Sequence, residues 1–110
     1  MNKLRIMVKK QEIRASALVG GKRHPASGAL FFAKGDGSGK NYTIECKRTD
    51  KKSITIKAEY LDKITQEASS TGRMPLVHFE LPTVGPLTSK DWILLEADLF
   101  ERLSEGGERC

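Results

Sequence analysis

The stretch Gly35-Asp36-Gly37-Ser38-Gly39-Lys40-Asn41-Tyr42-Thr43-Ile44-Glu45-Cys46-Lys47-Arg48 decides how this chain is read. Its glycines, serine and asparagine mark a turn. Beyond the turn, Tyr42, Ile44 and Cys46 alternate with Thr43, Glu45 and Lys47. That is the period-two pattern of a strand with one apolar and one polar face. Ahead of it, Leu30-Phe31-Phe32-Ala33 is bulky and aromatic, a buried strand ended by Lys34-Gly35-Asp36. Residues 30–47 therefore predict a β-hairpin with 37–41 as its connection. The turn lacks the GxxxxGK[ST] spacing of a phosphate-binding loop. Glu45 and Lys47 share a face, and Asp36 lies across the turn, within reach of Glu45.

Outward from the hairpin, Val8, Glu12, Ala15 and Val19 fall on one helical face and predict a helix over about 8–19. Glu12 is then a carboxylate in an otherwise apolar stripe. Gly20-Gly21 stops the helix. Lys22-Arg23-His24-Pro25-Ala26-Ser27-Gly28-Ala29 is a basic, turn-forming loop, either a solvated connection or a segment that lays cations and a hydroxyl on a phosphate backbone. His24 has no second histidine nearby and is not read as a metal ligand. After the hairpin, 48–52 is a polar loop and Ser53-Ile54-Thr55-Ile56 a third strand or an extended lead-in. Ala58, Leu61, Ile64 and Ala68 predict a helix over 58–70, ended by Gly72. Residues 75–81 alternate as a strand, with Leu76, His78 and Glu80 opposite Val77, Phe79 and Leu81. A proline-bearing loop, a strand over 91–96 and a helix over 97–103 anchored by Leu99, Phe100 and Leu103 complete the chain. The order α-β-β-(β)-α-β-β-α is a mixed α/β (α+β) domain with a central sheet flanked by helices.

The 110 residues make one domain, with 1–7 and 104–110 expected to be flexible. Net charge is +5 and the pI about 9.4. That balance favours an anionic partner, of which nucleic acid is the commonest. No apolar run approaches the ~18 residues of a membrane span, and the N-terminus lacks a secretory h-region. Two cysteines, Cys46 and Cys110, make no disulfide framework, and no zinc spacing is present. A cytoplasmic protein is expected, in the host cytoplasm if phage-encoded, with Cys46 as a small core residue.

Two carboxylates converging beside a strand suit a hard cation such as Mg²⁺, with Mn²⁺ as a substitute. The backbone carbonyl of Cys46 would add an oxygen ligand. Lys47, two residues from Glu45, can meet the same phosphate or water and stabilise negative charge as it develops. Between positions 22 and 57 the cations are Lys22, Arg23, Lys34, Lys40, Lys47, Arg48, Lys51, Lys52 and Lys57, and the acids only Asp36, Glu45 and Asp50. Acids set in a basic surface are what metal-dependent cleavage of a polyanion needs. The alternative is an ordinary hairpin whose charges line a wet face, with Lys47 salt-bridging Glu45.

Gly35-Asp36 followed by Ile44-Glu45-Cys46-Lys47 resembles the PD-(D/E)XK nuclease motif, with Gly where that motif has Pro. The loop Arg23-His24-Pro25-Ala26-Ser27-Gly28-Ala29 and an upstream helix carrying Glu12 resemble the small Holliday junction resolvases of phages and archaea within that superfamily. The resemblance spans roughly residues 10–96. It implies a restriction-endonuclease-like fold and a Mg²⁺-dependent DNA endonuclease leaving 5′-phosphate and 3′-hydroxyl ends. Asp36 and Glu45 would be metal ligands, Lys47 the catalytic lysine, and Glu12 a further acid at the metal, possibly through water. DNA would be met by Lys22, Arg23, His24, Ser27, Lys34, Arg48, Lys51 and Lys52. A four-way junction has two-fold symmetry and needs two cuts, so a homodimer is implied. A same-fold nuclease for flaps, nicks or specific duplex sites, and a non-catalytic DNA-binding domain, are the alternatives.

Overall fold

The computed structural model describes residues 2–23 and 36–108. The first helix, α1 (Lys3–Leu18), begins ahead of the apolar periodicity. Asn2 explains the early start: its side-chain oxygen accepts the Leu4 N–H at 2.8 Å and caps the helix. Residues 3–7, read from sequence as flexible, form its first turns. The helix ends at Gly20, whose φ of 66° is the left-handed conformation glycine adopts freely. Gly21 and Gly39 then meet at very close range. A Cβ on Gly21 would lie 1.8 Å from the Ser38 carbonyl oxygen, and one on Gly39 would lie 2.1 Å from that of Val19. The end of α1 thus rests directly on the hairpin turn, which no larger residue permits.

Five strands form one sheet in the order β1-β2-β3-β4-β5: β1 (Lys22–Arg23), β2 (Gly37–Ser38), β3 (Tyr42–Arg48), β4 (Met74–Glu80) and β5 (Asp91–Leu94). The pairs β1/β2, β2/β3 and β4/β5 are antiparallel. β3 and β4 are parallel, and the crossover between them carries α2 (Ala58–Ser69). Gly37 and Ser38 pair with Ile44 and Thr43, so the connection narrows to 39–41. The expected strand Leu30–Ala33 lies outside the described residues. Ser53–Ile56 is the extended lead-in, not a strand; Ile54 and Ile56 pack against the core beneath α2.

The result is a mixed α/β layer structure with a core on each face of the sheet. Ala15 of α1, Ile44, Leu76 and Leu99 form one core, with Tyr42 and Cys46 packed against it. Ile64 of α2, Val77 and Phe79 form the other. The last helix, α3 (Ala97–Glu108), runs past the expected end at Leu103. Only one of its three expected anchors is buried: Leu99 is 5% exposed, whereas Phe100 is 63% and Leu103 50% exposed. Among the described residues no helix is long and apolar enough to cross a membrane.

Candidate metal centre

Strand alternation sets the site. Ile44 and Cys46 point to the α1 side of the sheet, and Glu45 and Lys47 to the α2 side, beside Val77 and Phe79 of β4. Asp36 is clamped against β3 at two points. Its N–H donates to the Ile44 carbonyl at 3.0 Å, and its Oδ2 accepts the Cys46 N–H at 2.7 Å. The carboxylate is thereby held on β3 beside Glu45.

Among the described residues, the influences that raise the Glu45 carboxyl outweigh the one cation set against them. Burial first, then the charges of Asp36 and of Glu67 on α2, push Glu45 up to about 8; Lys63 on α2 pulls the other way. At neutral pH Glu45 therefore holds a proton that a bound cation would displace. Among the described residues no three His, Cys, Asp or Glu side chains gather into a metal-holding group. The donor set is two hard carboxylates. That suits Mg²⁺, which is commonly held by one or two carboxylates and keeps several waters.

Lys47 stands on the same face, and its Nζ lies 4.3 Å from the centroid of the Tyr60 ring on α2. The Tyr60 hydroxyl is buried and has no hydrogen-bond partner. Glu12 comes from the α1 layer. Its charge bears on the Cys46 thiol, which burial, Asp36, Glu12 and Glu45 all push up, and its carbonyl accepts the Ser16 hydroxyl at 2.7 Å. The charges bearing on Glu45 are those of Asp36, Glu67 and Lys63.

Of the expected DNA contacts, Lys22 and Arg23 form β1, while His24, Ser27 and Lys34 lie outside the described residues. Lys51 and Lys52 are exposed on the turn after β3. Arg48 is ion-paired. Its side chain is 11% exposed, with Nε donating to Glu80 and Nη2 to Asp50, each at 2.9 Å. It ties β3 to β4 and to the turn after β3.

A second polar cluster occupies the α1 side. α1 buries two polar residues, Gln11 and Ser16, and Gln11 stands one position before Glu12. The Gln11 Nε2 donates to the Lys47 carbonyl at 3.0 Å and the His78 carbonyl at 3.3 Å, and meets His78 Nδ1 at 3.0 Å. The other ring nitrogen, Nε2, is buried without a hydrogen-bond partner, 3.6 Å from Asp91 Oδ1. Burial is the largest influence on His78 and holds it below its ordinary range, so it is neutral at pH 7. Arg14 bridges Glu80 and Asp91, and Arg48 holds Glu80 from the other side. Burial works to raise Glu80, but these two guanidiniums overcome it and hold the carboxyl below its ordinary range.

Sequence reading missed Gln11, Tyr60, Lys63 and Glu67. The last three were findable: they recur at i, i+3 and i+7, one stripe of α2. Gln11 was not, because its partner His78 is 67 residues away. No family model, curated protein or solved structure matches this chain.

Proposed function

We propose that this protein is a Mg²⁺-dependent, structure-selective DNA endonuclease that hydrolyses phosphodiesters with water, acting on branched DNA such as the four-way junction. The observation that carries the reading is the Asp36–Glu45 carboxyl pair, with Lys47 two residues on along the same strand face. Asp36 and Glu45 would hold the cation. Bound there, Mg²⁺ supplies Lewis-acid polarisation of the phosphate and lowers the pKa of the attacking water. Lys47 brings a cation to the same face to offset charge developing on the phosphate oxygens. Net charge of +5 and the exposed Lys51 and Lys52 favour a polyanionic substrate.

Paired cuts in a two-fold substrate call for two copies of the site, so a homodimer belongs to this reading. The exposed apolar side chains Ile93, Phe100 and Leu103 are in keeping with it. A second reading, a non-catalytic DNA-binding domain, draws support from the gathering, among the described residues, of fewer than three candidate metal ligands. Incubating the protein with junction, flap, nicked and linear DNA, with Mg²⁺ or with EDTA, separates the readings. Paired, Mg²⁺-dependent cutting favouring the junction is expected. DNA binding without cutting at any Mg²⁺ concentration sinks the nuclease reading.

A further inference from the structure

Tyr60 stands where α2 crosses the polar face of β3. Its ring carries the Lys47 ammonium at 4.3 Å, which fixes the ring against the strand. Its hydroxyl is buried without a hydrogen-bond partner, which is costly for a polar group. After burial itself, the strongest influences on that hydroxyl are the charges of Glu45 and Asp36. The oxygen is therefore withdrawn from solvent and left unsatisfied, on a ring that lies against Lys47, two residues along the same strand face from Glu45. Such a group needs a partner that arrives with a ligand, most simply a water from a cation's hydration shell.

We infer that Tyr60 is a positioning residue of this centre, its hydroxyl being the hydrogen-bond partner of the hydration shell of a divalent cation held by Asp36 and Glu45. The inference rests on the metal-site reading proposed above. The ring and the hydroxyl have separable duties. The ring packs and holds Lys47; the hydroxyl is idle until the cation is present. Removing the oxygen alone should weaken cation binding without disturbing the fold.

Mn²⁺ alone is the probe, with water-proton relaxation as the readout on wild type, Glu45→Gln and Tyr60→Phe. Saturable Mn²⁺ binding that Glu45→Gln abolishes upholds the metal site itself. Against that background, Tyr60→Phe is expected to bind Mn²⁺ about 10-fold more weakly, with a metal-free Tm equal to or above wild type. A tyrosine with a packing role only would leave affinity unchanged. Wild-type Mn²⁺ affinity in Tyr60→Phe overturns the inference while leaving the metal site standing. Absence of saturable Mn²⁺ binding in wild type overturns both.

Discussion

The two faces of the sheet treat buried charge in opposite ways. On the α1 side, Glu80 lies between the guanidiniums of Arg14 and Arg48, and Asp91 also accepts from Arg14. Each carboxylate has a cation, and Glu80 is held below its ordinary range despite burial. On the α2 side, Glu45 is pushed up to about 8, chiefly by burial and by the charges of Asp36 and Glu67, while Lys63 pulls the other way. The same chain therefore builds a balanced cluster and an unbalanced one on opposite faces of two neighbouring strands. Balanced charge ties elements together: Arg14, Glu80, Asp91 and Arg48 join α1, β3, β4 and β5. Unbalanced carboxylates cost stability, and in the proposed reading a divalent cation offsets that cost.

Substitution should separate the faces sharply. Glu45→Gln removes the proposed ligand and relieves repulsion at once. Cleavage of junction DNA is expected to fall about 1000-fold, some 4 kcal/mol of transition-state stabilisation, while metal-free Tm stays level or rises. Loss of Tm together with activity would place Glu45 among the structural charges. Glu80→Gln should do the reverse. It leaves two guanidiniums half-paired and is expected to cost about 2–3 kcal/mol of folding stability in urea unfolding. Mn²⁺ affinity should stay within a few-fold. A large affinity loss with intact stability would break the contrast.

The pH response gives a smaller effect with opposite signs on the two faces. Glu45 has a raised carboxyl, so the folded state binds the extra proton. Its contribution is full below about 4.5 and declines as pH rises towards about 8. Glu80 has a lowered carboxyl, so its contribution is present above about 4.5 and is lost as pH falls through the folded value. Metal-free Tm is thus expected to fall at both ends of this range, and Glu45→Gln should remove the decline on the alkaline arm alone. An unchanged alkaline arm in that variant would assign the decline to other groups.

The sequence carried the fold through local periodicity. Alternation at Tyr42–Lys47 and the α2 stripe Leu61, Ile64 and Ala68 announced their elements because a single buried face repeats at short range. The same alternation assigned Glu45 and Lys47 to one face. Long-range pairing left no such trace. Gln11 finds His78, and Arg14 finds Glu80 and Asp91, only once α1 lies across the sheet. For Arg48 the charge was visible in the sequence and its partner, 32 residues on, was not. Phe100 and Leu103 looked like anchors because an amphipathic pattern marks an apolar face without saying what covers it. Asp36 was readable as a neighbour of Glu45. That it is clamped by the Cys46 N–H was not, because the backbone of Gly37 and Ser38 continues as a strand where the composition suggested a turn.

The central claim is that Glu45, beside Asp36, holds a proton which a divalent cation displaces. Calorimetric titration with Mn²⁺ at pH 7, in two buffers of different ionisation enthalpy, measures this directly. The account predicts saturable binding with release of about one proton per cation, declining as pH rises past about 8, and neither binding nor release in Glu45→Gln. Binding with no proton released, or binding that survives Glu45→Gln, would contradict it.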